Sequence, residues 1–225
     1  MPRHFEIELD ELRTNIIKMG SIVDEQIDCA IDAILHSNLE RIAMISERDS
    51  KVDHYDNLID AQCARIFALT QPVAIDLRLI MAALKINHEL ERIGDIAVNL
   101  AERAGALQGH TDIIQRTQLV QMAEKARRMA QLAIDSFVNN DPESARAVCR
   151  EDDLVDEMNR LVFHEVVAEM KANPSLIEPA AHIIILSRHL ERLADHATNI
   201  AEDVIFLVDA KIVKHPKLQA DLGID

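Results

Sequence analysis

The sequence predicts an all-α protein with two tandem, pseudo-symmetric three-helix bundles, which together contain six long antiparallel helices. Gly and Pro account for only 5 and 6 of the 225 residues, and aromatic residues make up 3%, so the chain has few of the residues that favour tight turns and strands. Ala, Leu, Met and Glu are abundant, and these residues favour helices. A pattern in the first half also returns in the second half, which indicates a duplicated unit and two similar bundles.

Helix-breaking residues divide the first half into three helices. The first amphipathic run covers about residues 5–35, and Asn38 in the following link is expected to cap the second helix, 39–68. Pro72 stops the second helix, because proline is tolerated only in the first turn of a helix. The third helix then extends to about residue 106, where two glycines mark the next break.

The second half repeats this scheme. Its first helix, the fourth of the chain, is predicted over residues 112–139. Asp141 is expected to cap the fifth helix, 142–171, whose first residue is a proline. A longer, turn-rich link around Pro174 precedes the sixth helix, which ends at about residue 209.

Charged residues are preserved between the two halves. LERIGDIAVNLAE at 90–102 returns as LERLADHATNIAE at 190–202, with 8 of 13 positions identical. Packing alone can preserve a pattern of apolar residues, but it does not require the same carboxylates at the same phase. We therefore predict a first bundle over 1–108, a second bundle over 109–215 and an acidic C-terminal tail over 216–225.

Charge and cysteine content narrow the classes of function. The formal net charge is −15, which repels nucleic acid and anionic lipid, so metal cations or basic protein surfaces are the expected partners. Cys29, Cys63 and Cys149 occur in apolar helical contexts without a Cys-x-x-Cys pair, which indicates reduced core residues. No N-terminal leader and no apolar run of bilayer-spanning length occurs, so a cytoplasmic location is expected.

Pairs of carboxylates recur on four of the predicted helices. Glu91 and Asp95 are four residues apart, so they lie on one helix face and repel each other unless a cation bridges their oxygens. Counting residues from the helix turns places a pair from the preceding helix at the same height in each half. The first carboxylate site comprises Asp49, Asp53, Glu91 and Asp95. The second carboxylate site comprises Asp152, Asp156, Glu191 and Asp195.

Five further residues lie near these pairs and are weaker candidate ligands. They are Asn99, Glu102, His196, Asn199 and Glu202. Arg92 and Arg192 leave an alternative open, because each could pair with the acids and replace the metal. Carboxylate oxygens suit divalent or trivalent metal ions, and the sequence does not distinguish Fe, Mn, Mg and Zn.

The sequence contains no pattern that nominates an enzyme. Glu-x-x-His is absent from the chain, which argues against a ferritin-type di-iron oxidase. No Gly-rich phosphate loop or paired Ser–His arrangement occurs either. Two alternatives to a regulatory metal-binding protein remain: a metal-dependent hydrolase or oxidase that uses the same carboxylates, and a purely structural helical scaffold with solvated acidic stripes.

Segments from both halves resemble the PhoU family of phosphate-uptake regulators. QPVAIDLR at 71–78, followed by LERIGD at 90–95, is similar to the central signature of that family, and 189–203 is similar to its second copy. IVKH at 212–215 resembles the C-terminal end. The resemblance covers nearly the whole chain and implies two three-helix bundles.

The resemblance also implies metal binding. Acidic motifs of the family bind metal clusters in some members, and they correspond by position to the eight acids of the two carboxylate sites. The residue after the second acid is often His in the family. His196 fits that pattern, whereas Ile96 departs from it, so two unequal sites are expected.

Function and partners follow from the same resemblance. It implies a non-enzymatic negative regulator of phosphate uptake and phosphate-starvation signalling. Such a protein couples the ATPase subunit of the phosphate ABC transporter to a phosphate-sensing histidine kinase. A homodimer is expected, with no nucleic acid partner and with membrane contact only through protein partners.

Overall fold

The structure, a computed structural model, describes residues 2–36, 38 and 41–213, and all regular structure in these residues is helical. The α-helices are α1 Pro2–His36, α2 Ile42–Leu69, α3 Ile75–Ala106, α4 Thr111–Gln115, α5 Leu119–Asn139, α6 Pro142–Ala172 and α7 Ile177–Asp209. A 3-10 turn, Pro174–Leu176, precedes α7. The predicted all-α class is confirmed, and no helix in this part of the chain is both long and apolar enough to cross a membrane.

Six of the seven α-helices in the described residues form two groups of three, and the short α4 lies against α5 and α1. Helices α1, α2 and α3 pack on one another, as do α5, α6 and α7, while α3 lies along α7 and α1 meets α5. The buried apolar side chains of both groups form one cluster, so the two bundles share a core. The predicted division after residue 108 falls in the turn between α3 and α4 and stays a prediction. The predicted tail, 216–225, lies outside the described residues.

The predicted fourth helix, 112–139, is wrong in one respect, because it is divided into α4 and α5. The hydroxyl of Thr117 accepts a hydrogen bond from the backbone N–H of Leu119 at 3.4 Å, and the N–H of Gln118 donates to a Glu165 carboxylate oxygen at 2.8 Å. Side chains thus satisfy backbone donors that would otherwise continue the helix. No Gly or Pro marks this break in the sequence.

The two predicted helix caps have opposite outcomes. Asp141 is the N-cap of α6, and its carboxylate accepts hydrogen bonds from the backbone N–H groups of Glu143 and Ser144, as predicted. The prediction for α2 is wrong, because that helix starts later and its N-cap has no side-chain cap. The amide of Asn38 instead donates to the Asp32 carboxylate at 2.9 Å.

Two glycines allow helices to approach closely where the carboxylate sites and the bundle interface form. A Cβ added at Gly94 of α3 would lie 3.2 Å from Oε1 of Gln26 and 3.4 Å from Val52. A Cβ added at Gly20 of α1 would lie 3.0 Å from Ile134 of α5. The first contact brings three helices of one bundle together, and the second brings the two bundles together.

Candidate metal centres

A strip of buried apolar residues between paired helices, called the seam here, fixes where the carboxylates lie along the helix axes. In the first bundle, Val52 and Ile59 of α2 are buried, as are Ile93 and Ala97 of α3. Residues three and four apart share one helix face, so burying these positions leaves neighbouring positions at the edge of the seam. The acids of the first carboxylate site occupy that edge on both helices. The second bundle repeats the arrangement between α6 and α7.

The first carboxylate site brings acids from α2 and α3 within electrostatic reach. The pKa of Asp49 is raised by its burial, then by the charge of Asp53, and Asp95 on α3 raises it further. The pKa of Glu91 is raised by burial, then by Asp95, with a further contribution from Asp56 on α2. Each cause disfavours the ionised form, so the charged site is destabilising without a compensating cation.

Sequence reasoning did not include Asp56 among the site residues. Its pKa is raised by burial and then by Asp60, and its carboxylate accepts a hydrogen bond from the amide of Asn87 at 2.8 Å. Asn87 lies on the buried face of α3, 1% exposed, and also donates to Asp60 at 3.2 Å. In the sequence, the indication of this contact was that the polar residue Asn87 lies among apolar positions of α3.

The second carboxylate site is the more tightly coupled of the two. The pKa of Asp195 is raised by burial and then by Asp156 on α6. The pKa values of Asp152 and Glu191 are each raised by burial and then by Asp195. All four predicted acids therefore act on one another across the helix pair.

Different polar side chains support the two sites. The hydroxyl of Thr198 donates to Asp152 at 3.2 Å in the second site, where the first bundle has Val98. In the first site the amide of Gln26, a fully buried residue of α1, donates to Asp49 at 3.5 Å. The sites are therefore similar in their acids and unequal in what surrounds them.

One carboxylate oxygen in each site makes no hydrogen bond. The Oε2 atoms of Glu91 and Glu191 are buried without a hydrogen-bond partner, and the two residues occupy equivalent positions in the repeat. Oε2 of Glu91 has an ion-pair contact with Nε of Arg92 at 3.4 Å. The other oxygen of Glu191 accepts from the guanidinium of Arg188 at 2.7 Å. A buried, unsatisfied carboxylate oxygen is costly, and a metal ion is one group that would satisfy it.

The arginines of the two repeats behave differently. The Arg92 guanidinium lies 3.4 Å from carboxylate oxygens of both Glu91 and Asp95, so it pairs with the first site as the alternative prediction described. Arg192 acts on Asp195 through its charge, which opposes the rise in the pKa of that carboxyl. Both arginines are exposed, so solvent screens these pairs and a cation can displace them.

The five weaker candidate ligands are two amides, one imidazole and two carboxylates. The amides of Asn99 and Asn199 donate elsewhere, to the Asp95 backbone at 2.8 Å and to a Glu89 carboxylate oxygen at 3.2 Å, respectively. His196 also contacts Glu89, at 2.6 Å. The side chain of Glu102 is exposed, whereas Glu202 lines a cleft of about 570 Å³ together with Asp152.

The acids are suitable metal ligands by type, but their side chains do not surround a common point. No group of three or more His, Cys, Asp and Glu side chains within the described ranges converges on a point that could hold a metal ion. Asp53 and Asp95 are exposed, so their side chains are free to change rotamer around an ion. Hard oxygen donors of this kind fit Mg²⁺, Mn²⁺ and iron, and additional imidazole would favour Zn²⁺.

Comparison with known families gives two matches along the chain. A family model described as the PhoU domain matches residues 16–104 and 119–204. Each match covers most of one bundle, which agrees with the duplication seen in the sequence.

Individual relatives match over nearly the full chain. The PhoU homolog of Aquifex aeolicus, a phosphate-specific transport system accessory protein, is 37% identical over 212 residues, 94% of this chain and 96% of that relative. A homolog with the same description from Pseudomonas aeruginosa is 34% identical over 220 residues, 95% of this chain and 88% of that relative.

Two crystal structures have closely similar folds. PhoU from Pseudomonas aeruginosa superposes with a TM-score of 0.85 at 33% identity, covering 92% of this chain and 100% of that chain. The phosphate transport system regulatory protein PhoU from Streptococcus pneumoniae superposes with a TM-score of 0.82 at 26% identity, covering 93% and 99%.

Proposed function

This chain belongs to the PhoU family, and from that premise we propose that it is a non-enzymatic negative regulator of phosphate uptake and phosphate-starvation signalling. The observation that carries the proposal is the double match of the PhoU domain, because each match covers most of one bundle. Relatives of at least 30% identity over nearly the whole chain are accessory proteins of phosphate-specific transport systems. A role in the regulation of phosphate transport follows from that relationship.

The regulator acts in the cytoplasm, by coupling the ATPase subunit of the phosphate ABC transporter to a phosphate-sensing histidine kinase. The turn between α2 and α3 supports docking of the ATPase subunit. Leu69, Val73 and Ile75 there are 71%, 67% and 60% exposed, and large exposed apolar side chains in one segment are typical of protein contact surfaces. With a net charge of −15, the protein reaches the membrane only through its protein partners.

Both carboxylate sites bind a divalent or trivalent metal ion as part of this proposal. Burial raises the pKa values of Glu91 and Glu191, and the charges of Asp95 and Asp195 raise them further. An ion offsets both effects and satisfies carboxylate oxygens that make no hydrogen bond. Carboxylates from two helices that share an ion are also cross-linked, which stiffens each helix pair.

The regulatory role is tested in a strain that lacks the gene. Phosphate-starvation genes should be expressed in high phosphate, and the wild-type gene should restore repression. Leu69→Glu combined with Val73→Glu should fail to restore it and should no longer capture the ATPase subunit. Leu154→Glu is the matched control, because Leu154 is 52% exposed on α6. Normal repression in the deletion strain would contradict the proposal.

Elemental analysis of gently purified protein tests the metal sites. We expect Asp95→Ala and Asp195→Ala each to lose metal from one site, and the double variant to lose it from both. Equal metal content in the wild type and the double variant would contradict metal binding at these acids. Turnover of phosphoesters or oxygen by the metal-loaded protein would instead favour a hydrolase or oxidase.

The homodimer is part of the same proposal. Sedimentation at increasing protein concentration should show a species of twice the 25.3 kDa chain mass. A single species of chain mass at micromolar concentration would contradict it.

A further inference from the structure

A cleft between α6 and α7 of the second bundle differs in charge from the molecule as a whole. It has a volume of about 420 Å³, and Arg160 and Phe163 of α6 line it together with Arg188 of α7. Among the described residues, no Asp or Glu lines it. A cleft of the same volume between α1 and α5 has Asp24 and Asp135 in its lining. The first of these, called the cationic cleft below, is a locally positive surface on a chain with a net charge of −15.

The two arginines of the cationic cleft have hydrogen-bond donors to spare. Each contacts a glutamate on its own helix at 2.7 Å, Arg160 with Glu157 and Arg188 with Glu191. A guanidinium has five N–H donors, and these contacts use two donors of Arg160 and one of Arg188. Both arginines are about two-thirds exposed, and exposed pairs of this kind are weak and screened by solvent. The remaining donors are therefore available to an anion.

Phe163 adds an aromatic surface to the same cleft. Its side chain is 48% exposed, although a large apolar side chain gains most when it is buried. An exposed aromatic ring offers a flat face on which a planar ring can stack. The volume of the cleft is also within the range of small-molecule sites, about 300–1,000 Å³. A ligand with both an anionic group and a planar aromatic group matches these features better than an inorganic anion does.

The cationic cleft has no counterpart in the first bundle. When the carboxylate sites of the two bundles are aligned, four replacements distinguish the positions: Asp56 by Asn159, Asp60 by Phe163, Asn57 by Arg160 and His88 by Arg188. Two acids are thus lost, and two arginines and an aromatic ring are gained. Arg160, Phe163 and Arg188 are all exposed, so the packing of α6 on α7 does not require these replacements.

We propose that the cationic cleft binds a nucleotide, with its phosphate held by the guanidinium groups of Arg160 and Arg188 and its base stacked on Phe163. The planar fork of a guanidinium binds two phosphate oxygens at once, which favours arginine at phosphate sites. The negative charge of the rest of the chain is screened beyond about 8 Å at physiological ionic strength, so the local charge of the cleft determines binding. The inference does not depend on metal binding or on the proposed regulatory role.

Calorimetric titration of the full chain with AMP, inorganic phosphate and adenosine tests the proposal, with EDTA present so that no metal bridges the phosphate. AMP should bind more tightly than either inorganic phosphate or adenosine, because it alone has both groups. Arg160→Gln and Arg188→Gln should each weaken AMP binding about 10-fold or more, since each removes charged hydrogen-bond donors. Arg128→Gln is the matched control, because Arg128 is exposed on α5 outside the cleft, and it should leave AMP binding unchanged.

Phe163→Ala distinguishes a nucleotide from a bare phosphate. It should weaken AMP binding about 5–100-fold by removing the stacking surface and leave the binding of inorganic phosphate unchanged. Leu154→Ala, at another exposed apolar position of α6, is its control and should have no effect on either ligand. Equal affinities for AMP and inorganic phosphate, together with an unaltered Phe163→Ala variant, would overturn the assignment of a nucleotide.

Arginine resonances locate the bound ligand directly. In ¹⁵N-labelled protein, AMP should shift the side-chain Nε resonances of Arg160 and Arg188 and leave that of Arg128 in place. Saturable AMP binding without shifts at the two cleft arginines would mean that the nucleotide binds elsewhere and would contradict the assigned site. Failure of AMP to bind with a Kd below about 1 mM would overturn the inference and leave the proposed function untouched.

Discussion

Substitution of Asp195 by Asn should stabilise the metal-free protein. Burial raises the pKa values of Asp152 and Glu191, and the charge of Asp195 is the next largest cause for both, so the repulsion in the second site centres on Asp195. Burial raises the pKa of Asp195, and the charge of Asp156 raises it further. The Asn side chain has nearly the same shape and removes one charge from three unfavourable pairs.

The size of the effect follows from Coulomb's law. Residues four apart on one helix have Cβ atoms about 6 Å apart, and the same separation is taken for the pairs across the two helices. At that distance two unit charges repel by about 0.7 kcal/mol in water and about 3 kcal/mol at an effective dielectric constant of 20. Asp195 is exposed, so solvent screening favours the lower figure, and three pairs then total about 2 kcal/mol.

Favourable charges reduce this gain. His196, Arg188 and Arg192 all favour the ionised form of Asp195. If they offset half of the repulsion, about 1 kcal/mol remains, which corresponds to a Tm about 2–4 °C higher for a chain of this size.

Thermal unfolding followed by circular dichroism in EDTA is the assay. Glu11→Gln is the matched control, because Glu11 is exposed on α1, outside the second site, and its change removes the same charge. A lower Tm for Asp195→Asn in EDTA would refute the reasoning, since it would mean that the three favourable charges outweigh the repulsion. Added Mn²⁺ should reverse the order, with the wild type becoming the more stable protein.

The remaining predictions concern pH, packing, capping and thiols. The Tm advantage of Asp195→Asn in EDTA should shrink as pH falls from 7 to about 4.5. The pKa of Asp195 is raised on folding, so its ionisation destabilises the folded protein as pH rises from the unfolded pKa, about 4, through the folded pKa, and protonation at lower pH removes this effect. A Tm difference that does not change with pH would contradict this prediction. Leu193→Ala, at a fully buried position, should cost about 2–5 kcal/mol in urea unfolding, and a loss below 1 kcal/mol would contradict the packing. Asp141→Ala should lower Tm by about 2–4 °C by removing the α6 cap, whereas Asp141→Asn should not. Burial raises the pKa values of Cys63 and Cys149 to about 12 and about 11, so both should resist a thiol reagent at pH 8 until the protein unfolds.

The acid pairs were predictable because they depend on geometry within one helix and on residue counts from a turn. Glu91 with Asp95 and Glu191 with Asp195 required only the helical repeat, and their partners required only helix rise. The participation of Asp56 was not predictable in this way. It depends on how α2 is rotated against α3, which the buried amide of Asn87 helps to fix.

Two other features could not be predicted from residue spacing, because they depend on contacts between different helices. The break between α4 and α5 arises from the Thr117 hydroxyl and the Glu165 carboxylate rather than from Gly or Pro. The contact of His196 with Glu89 joins different bundles, so register within a bundle does not show it. Comparing the repeats gives the indication that was available, because Glu89 and His196 are positions where the two copies differ in chemistry.

The pairing of α3 with α7 has the form of a contact between two copies of one half-length protein. In such a self-associating ancestor, symmetry would place the same residue at both members of every equivalent pair of positions. A Glu–His contact across the axis would then have to occur twice or not at all. Two unlike copies in one chain escape that constraint. Glu89 contacts His196, whereas His189 and Ile96 occupy the equivalent positions, an arrangement that a symmetric homodimer of identical chains cannot have.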